Sequence, residues 1–450
     1  MPFTSTSDQN EVGIRARRRI ALRLLPFVFL MYVVNFLDRV NVAYANLHMS
    51  SDLGLSDRAF GLGVGMFYVT YVLFEIPGAI IVERWSARKW IARIMISWGV
   101  ITILLGFVHS AGQFYAARFF LGAAESSFFP GIIVYLTHWF RLRERCWAIA
   151  CLYSAIPTGS LIGSPLAGWL LGVHWLHLAG WRWLFILEGC PSIALGVAVV
   201  FYLTDWPAQA RWLPADERDW IVSELQNEML AKKKIRSYTI LEAFCDRRIL
   251  WLIAAWFFAL AGSLGTAYWL PTFVKRLSHL PDRSVTSLLL IPALIGIAGT
   301  LFNGWHSDKH AERRWHTAIP LFAAGLMYAL VIPARHDLSL AIPFLLVAGG
   351  IFYGYYPAFW AMPTMILSES AAAATFGLIN SVGQLAGFGS NYTIGFLNDR
   401  THSLIASLGF LALVFVAAGC LILTLKIQDP LAVAKTLETN PSESAAPVVD

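Results

Sequence analysis

Residues 83–89 read Glu-Arg-Trp-Ser-Ala-Arg-Lys, and residues 308–314 read Asp-Lys-His-Ala-Glu-Arg-Arg. Both stretches begin with an acid and a base and end with two bases, with three residues between them. The second stretch starts half a chain length after the first in this 450-residue protein. Each follows a long apolar segment at the same place in its half. A loop repeated in register indicates that the chain consists of two copies of one unit.

The composition indicates that the repeated unit lies in a lipid bilayer. Hydrophobic residues make up 57% of the chain and charged residues 14%, against about 45–50% and about 25% in soluble globular proteins. The polar surface is too small to cover a fold in water, which excludes a soluble enzyme, a disordered scaffold and a nucleic-acid-binding module. The five cysteines have no CxxC or other metal-ligand spacing, so we predict no metal site and no cofactor.

Twelve apolar segments recur along the chain, and each is close to the roughly 20 residues that cross a bilayer as a helix. The alternating segments of about 10 residues that build a membrane barrel are absent from the sequence. We therefore predict an all-α membrane protein with 12 transmembrane helices in two pseudo-symmetric six-helix bundles. These spans, numbered 1 to 12 in chain order, are predicted at residues 20–47, 59–82, 91–109, 113–139, 147–172, 181–204, 249–274, 285–305, 316–333, 339–366, 373–397 and 404–426.

One long polar stretch, residues 205–248, separates the first six spans from the last six. It predicts a cytoplasmic linker that contains a surface helix near residues 215–231. The complete predicted organisation is an N-terminal tail at 1–19, an N-terminal bundle at 20–204, the linker at 205–248, a C-terminal bundle at 249–427 and a disordered cytoplasmic tail at 428–450.

The distribution of Lys and Arg predicts the orientation in the membrane, because cytoplasmic loops carry an excess of both residues. With the N-terminus in the cytoplasm, most of the 34 basic residues fall on the cytoplasmic side. The opposite orientation would place most of them outside. We therefore predict a multi-pass protein of the cell (inner) membrane with both termini in the cytoplasm.

The paired loops and the six-plus-six arrangement resemble the major facilitator superfamily, whose signature loops lie between spans 2 and 3 and between spans 8 and 9. In that superfamily the loop charges form a cytoplasmic latch between helices. The first copy here departs from the usual pattern, because Glu83 replaces the common Asp and Ser86-Ala87 stand where Gly is frequent. The resemblance implies a cytoplasmic gate formed by Glu83, Arg84, Arg88, Asp308, Arg313 and Arg314.

Several strings resemble the anion:cation symporter family of organic-anion transporters. The most specific is NFLDRVNVA at residues 35–43, followed by FEIPG at 74–78, RFFLGAAE at 118–125, GWRWLF at 180–185 and YWLP at 268–271. The strings span most of the chain. They are most similar to the bacterial branch that transports tartrate, sugar acids, phthalate and hydroxyphenylacetate.

Four charged residues lie deep inside predicted spans, where each charge costs at least about 2.5–3.5 kcal/mol on insertion scales. They are Asp38 and Arg39 on span 1 and Arg118 and Glu125 on span 4. Cross-helix pairs such as Asp38 with Arg118 are possible. A carboxyl group can carry a proton, and an arginine can hold a carboxylate through two hydrogen bonds. The alternative is that the four residues form fixed salt bridges that set helix packing.

The family resemblance assigns roles to these four residues. Family members use an Asp and an Arg on span 1, and an Arg followed seven residues later by a Glu on span 4, for proton coupling and anion binding. This implies that Asp38 and Glu125 carry protons and that Arg39 binds the substrate, with Arg118 as a less specific second cation. The roles of Glu75 on span 2 and Glu188 on span 6 stay open between packing and function.

Neutral side chains complete the predicted substrate site, because Tyr, Asn and Gln can form hydrogen bonds without charge. Any single aromatic residue can instead face lipid or the protein core. On span 5, Ile156 stands where similar sugar-acid transporters have a polar residue, which favours a smaller or more aromatic acid. The predicted neutral site residues are Tyr71, Tyr268, Tyr356, Asn380 and Gln384.

The sequence therefore predicts a monomeric secondary active transporter that takes up a small organic carboxylate by alternating access, with H⁺ as the coupling ion. A proton-coupled drug or cation antiporter on the same fold is the rival, and it predicts an apolar cavity with isolated acids. A membrane sensor or enzyme would need an output domain larger than the linker, or a catalytic motif that the sequence lacks. The sequence does not distinguish H⁺ from Na⁺ coupling, nor does it identify the organic anion.

Overall fold

The computed structural model describes residues 6–141, 144, 148, 151–232, 247–310, 312–366 and 369–425. Within these ranges the regular structure is helical throughout, with no strand. Twelve spans follow one another in the predicted order, and eight of them are long and apolar enough by themselves to cross a membrane. The predicted all-α membrane fold is confirmed.

Eight of the twelve spans are single helices in the described part of the chain. Span 1 is Thr6–Leu53, span 2 Asp57–Arg84, span 3 Ala87–Leu105, span 6 Gly180–Tyr202, span 7 Arg247–Ser278, span 9 Arg314–Ala334, span 11 Glu369–Thr401 and span 12 Leu404–Thr424. The other four spans are interrupted. Span 4 consists of Ala111–Glu125 and Phe128–Thr137, span 5 of helical residues 151–153 and, after a turn at Ser154, Ala155–Leu170, span 8 of Asp282–Leu288 and Leu290–His310, and span 10 of Leu338–Ile351, the 3-10 turn Phe352–Gly354 and Tyr355–Ile366.

The interruptions of spans 4 and 10 fall at equivalent places in the two halves. In span 4 the helix stops after Glu125, and Ser127 has a left-handed backbone with φ of 62° before the chain resumes a helix. In span 10 the helix tightens into the 3-10 turn Phe352–Gly354. Interrupted helices occur at the midplane binding sites of transporters built from repeats. The two breaks therefore indicate that a binding site lies near the centre of the molecule.

The predicted linker contains the helix Ala215–Lys232, and this helix contacts the first residues of span 1. Arg15 pairs with Asp216 at 3.2 Å, and Arg19 pairs with Glu217 at 3.3 Å. These ion pairs join the linker helix to the part of the span 1 helix that extends into the predicted N-terminal tail. The predicted C-terminal tail, residues 428–450, lies outside the described residues.

The two halves meet through spans 1 and 7, spans 2 and 11, and spans 5 and 8. We call the side of the bundle with the loops at 54–56, 279–281 and 402–403 the loop face. The side with residues 11–19 and the helix Ala215–Lys232 is called the tail face. The pairing of span 2 with span 11 and of span 8 with span 5 follows the twofold repeat that the duplicated loops predict.

Candidate functional site

A cavity of about 100 Å³ lies between the two halves, next to the interruptions of spans 4 and 10. Its walls come from spans 1, 2, 4, 5, 7, 10 and 11 and include Ile156. Five residues predicted from the sequence to bind substrate line this cavity: Arg39, Tyr71, Tyr356, Asn380 and Gln384. Residues more than 300 positions apart in the sequence thus share one chamber.

The Arg39 guanidinium group borders the cavity, and Glu125, which is not part of the cavity wall, binds it. Its Nε donates to Glu125 Oε1 at 3.0 Å, and its Nη2 donates to the same oxygen. Asn35 Nδ2 also donates to that oxygen at 2.9 Å. Glu125 is 2% exposed and Arg39 is 16% exposed. The ion pair thus has one buried partner and one partner that faces the cavity.

Aromatic rings support the cation from the other side. The Arg39 guanidinium carbon lies 5.2 Å from the centre of the Tyr71 ring and 5.5 Å from that of Phe67. Such cation–π contacts favour a fixed position of the charge. Tyr71 is itself almost completely buried, so it orients Arg39 and lines the cavity at once.

Asp38 points away from the cavity, although it is adjacent to Arg39 in the sequence. Its two carboxylate oxygens accept hydrogen bonds from Asn41 Nδ2 and Thr102 Oγ1, both at 2.9 Å. The side chain of Glu188 on span 6 is close enough to interact with Asp38 and Asn41. The groups around Asp38 in the described residues are therefore neutral donors and two further acids of the N-terminal half, Glu188 and Glu125.

Arg118 and Tyr268 lie outside the cavity wall. Arg118 is 1% exposed, and its guanidinium carbon lies 4.7 Å from the centre of the Phe67 ring. Its Nε and Nη2 have no hydrogen-bond partner among the described residues, and the possible pair with Asp38 does not form there. Tyr268 accepts a hydrogen bond from the Tyr68 hydroxyl at 2.9 Å, which links spans 2 and 7 beside the cavity.

Glu75, whose role the sequence left open, connects the two halves. Its two carboxylate oxygens accept hydrogen bonds from Asn380 Nδ2 at 3.0 Å and from Ser381 Oγ at 2.9 Å. Glu75 is on span 2, and both donors are on span 11. Asn380 also lines the cavity. A buried acid therefore holds one of the predicted substrate-binding amides across the interface.

A polar layer closes the loop face between the halves. Both carboxylate oxygens of Asp57 accept from Arg276, and Asp399 accepts from the backbone N–H groups of Asp57 and Arg58 at 2.9 and 3.0 Å. His48 contacts Asp282 at 2.6 Å. These residues were not predicted from the sequence, since charges at span ends are common and nothing in their spacing shows which ones meet.

Among the predicted gate residues, the side chains of Glu83 and Arg84 in the first loop copy and of Asp308 in the second lie outside the described residues. The backbone N–H of Arg88 and the Ser86 hydroxyl donate to the two carboxylate oxygens of Asp205, both at 2.8 Å. Asp205 thus fixes the start of span 3 to the end of span 6 at the tail face.

The second loop copy is held by a helix cap. Glu312 accepts from the backbone N–H groups of Trp315 and His316 at 2.8 and 3.1 Å and contacts His316 Nδ1 at 2.7 Å. Partial burial acts to raise the pKa of Glu312, but these hydrogen bonds outweigh it and lower the pKa below its ordinary value. Arg313 donates to Ser307 Oγ at 2.9 Å, and Arg314 donates to the Leu423 carbonyl. These contacts stay within the C-terminal half.

Two six-span halves around a central cavity are the architecture of a membrane transporter. Residues 28–391 match the family model described as Major Facilitator Superfamily. The chain belongs to the major facilitator superfamily.

Known proteins similar to this chain are transporters. A protein of Agrobacterium vitis named "Putative tartrate transporter" is 40% identical over 94% of this chain and 97% of its own length. The "Quinolone resistance transporter" of Acinetobacter baumannii is 33% identical over 94% and 97%. The inward-open structure of the xylose transporter XylE from E. coli superposes with a TM-score of 0.73 at 13% identity, covering 92% of this chain and 99% of that one. At that identity the structural likeness shows the fold alone.

Proposed function

We propose that this transporter takes up a small organic carboxylate together with protons across the bacterial inner membrane. Candidate substrates are tartrate, phthalate, hydroxyphenylacetate and sugar acids. The observation that carries the proposal is that Arg39 lines the central cavity while its guanidinium group is bound by the buried acid Glu125. The similarity to a protein named for tartrate transport is consistent with an anionic substrate.

The shared arginine gives a direct route to coupling. An ionised Glu125 accepts hydrogen bonds from the Arg39 guanidinium group, so a substrate carboxylate must compete with Glu125 for the same donors. Protonation of Glu125 removes the opposing charge and leaves Arg39 free to bind the substrate through two hydrogen bonds. Loss of the proton restores the ion pair and displaces the substrate. Proton and anion therefore bind together and leave together.

Asp38 is proposed as a second proton carrier, and its position suggests that it is protonated at a different step of the transport cycle from Glu125. Its carboxylate accepts a hydrogen bond from Thr102 on span 3. A shift of span 1 relative to span 3 would change that partner, so the protonation of Asp38 would follow the movement of the helices. Arg118, stacked on Phe67 next to Arg39, is proposed to support the positive potential around the site.

The closed loop face fits alternating access. If both termini are cytoplasmic, the layer of Asp57, Arg276 and Asp399 closes the external side, and the substrate leaves towards the tail face. The proposed cytoplasmic gate formed by the duplicated loops would then close in the opposite state.

The experiment is uptake into proteoliposomes under an imposed inward proton gradient, with tartrate, a sugar acid, phthalate and 4-hydroxyphenylacetate as substrates. We expect gradient-driven uptake of at least one acid, its loss in Arg39→Ala, and exchange without accumulation in Glu125→Gln. Arg93→Ala is the matched control, because Arg93 stacks on Trp90 at 4.0 Å on span 3, away from the cavity. Uptake by Arg39→Ala at the wild-type rate would contradict the proposal.

A proton-coupled drug antiporter is the second candidate, favoured by the similarity to the quinolone resistance transporter and by the aromatic residues of the cavity. It predicts export of a lipophilic cation or drug driven by the same gradient, without accumulation of any acid.

A parallel uptake experiment with a sodium gradient in place of the proton gradient distinguishes H⁺ coupling from Na⁺ coupling.

A further inference from the structure

The walls of the central cavity are mainly aromatic. Nine of its eighteen lining residues are Phe, Tyr or Trp, and four more are aliphatic. Among the described residues of the lining, Arg39 is the one cation and none is acidic. Once Glu125 is protonated, Arg39 can pair with one substrate carboxylate, and a second negative charge would have no ionic partner in this part of the wall.

The aromatic residues of the C-terminal half form a continuous surface. Tyr353 and Tyr356 have ring centres 6.1 Å apart with planes 30° apart, and Trp256 meets Tyr356 edge to face at 5.7 Å. Phe352 stacks on Tyr353 at 4.4 Å. Such surfaces bind flat rings by offset stacking and edge contacts more favourably than they bind hydroxylated chains.

Two polar atoms of the lining residues have no hydrogen-bond partner among the described residues, the indole Nε1 of Trp256 and Oε1 of Gln384. The Trp256 nitrogen packs against Gly383 of span 11, so it is covered by that span and is not available to a ligand. An unpartnered buried acceptor is costly, so a ligand hydroxyl that donates to Gln384 Oε1 has a specific place.

We infer that the cavity selects a flat aromatic monocarboxylate that carries a hydroxyl or another hydrogen-bonding group on the ring. This inference rests on the proposed function, and it narrows the substrate class of the same site. Arg39 binds the carboxylate, the aromatic surface contacts the ring, and Gln384 binds the ring substituent. Tartrate fits less well, because it has two carboxylates and two hydroxyl groups and no apolar surface. The apolar side chain of Ile156 in the cavity wall also makes the cavity less suited to tartrate.

The test measures binding to the purified full-length protein in detergent by isothermal titration calorimetry. The probes are 4-hydroxybenzoate, benzoate, cyclohexanecarboxylate and tartrate. Cyclohexanecarboxylate matches benzoate in charge and in size but is not flat. We expect benzoate to bind about tenfold more tightly than cyclohexanecarboxylate, and 4-hydroxybenzoate to bind about tenfold more tightly than benzoate. Tartrate should bind most weakly.

Gln384→Leu keeps a side chain of similar size and removes the amide group. We expect it to abolish the preference for 4-hydroxybenzoate over benzoate while benzoate binding changes little. The matched control is Gln113→Leu, because the Gln113 amide accepts from the backbone N–H of His109 at the loop face and is not part of the cavity wall. An unchanged preference in Gln384→Leu would overturn the assignment of the amide.

The outcomes separate this inference from the proposed function. Tighter binding of tartrate than of either aromatic acid would overturn the inference and leave carboxylate transport standing. Equal binding of benzoate and cyclohexanecarboxylate would do the same. Failure of every acid to bind, with uptake also absent in proteoliposomes, would overturn both.

Discussion

Replacement of Gly395 by alanine is expected to open the loop face. Gly395 lies on span 11 where its backbone touches span 2. A Cβ atom added there would lie 2.3 Å from the carbonyl oxygen of Asp57, whereas Cβ atoms essentially never come within 3.0 Å of another atom. The contact is reciprocal, since a Cβ on Gly61 would lie 2.2 Å from the carbonyl oxygen of Asn391. Both obstacles are backbone atoms, so the spans themselves must separate.

The size of the effect follows from the cost of overpacking. One extra methyl group in a packed interface costs typically about 1–3 kcal/mol. This cost applies only to the conformation in which spans 2 and 11 touch at the loop face. Since about 1.4 kcal/mol is a factor of ten in an equilibrium constant, the ratio of closed to open loop face should fall by roughly 5- to 150-fold. Gly389→Ala on the same span is the matched control, because a Cβ there meets nothing within 4 Å.

The assay is double electron–electron resonance between spin labels at Ser51 and Thr401, two exposed positions on either side of the loop face, in a background without native cysteines. We expect a new population at longer distance in Gly395→Ala and the parent distribution in Gly389→Ala. If Gly395→Ala is monodisperse and folded but keeps the parent distribution, close backbone contact does not hold this face shut. Gly61→Ala provides an independent repeat from the other span.

Three further predictions concern polar contacts near the two faces. Glu312→Ala should lower stability by about 1 kcal/mol at pH 7, as loss of a helix cap does. Because the pKa of Glu312 is lowered on folding, its contribution is present above the ordinary value of 4.5 and is lost as the pH falls below it; melting curves of both proteins should converge there, and a constant gap would argue against the cap. Asp205→Ala should cost roughly 1–3 kcal/mol, because two partly buried donors lose their acceptor. Asp216→Ala in an exposed ion pair should cost less than about 1 kcal/mol in the same melts, and similar losses would contradict this ranking. Asp57→Asn should open the loop face by less than about tenfold, since Arg276 is largely exposed, and high salt should reproduce its effect on the parent protein in the spin-label assay but not that of Gly395→Ala.

The course of the twelve spans was predictable because hydrophobic length is a local property. The duplicated loops predicted the relation between the halves, and the structure places the breaks of spans 4 and 10 at equivalent positions. The break after Glu125 was not predicted. Its sequence, Ser126-Ser127-Phe128-Phe129-Pro130, contains a proline but no glycine for the left-handed residue, so a continuous helix was the simpler expectation.

The site was predictable in its residue types but not in its pairings. Neighbouring residues on a helix point about 100° apart, so either Asp38 or Arg39 could have faced the cavity. The structure places Arg39 at the cavity with Glu125 and turns Asp38 towards Thr102. Helix rotation and depth decide these pairings, and neither is encoded in the spacing along one span. The same holds for Gly395, whose role requires knowledge of the opposing backbone.

Two buried acids, Glu125 and Glu75, accept hydrogen bonds from polar groups that line the cavity. Because one contact lies within a half and the other crosses between the halves, we assign them to two different steps of the proposed cycle. Glu125 binds Arg39 within the N-terminal half, so a substrate carboxylate that displaces Glu125 changes no contact between the halves. Glu75 binds Asn380 across the halves, so a substrate group that takes Asn380 weakens the association of spans 2 and 11. In the proposed cycle, the first exchange would set the affinity and its dependence on protons. The second exchange would connect occupancy of the cavity to the movement of one half against the other.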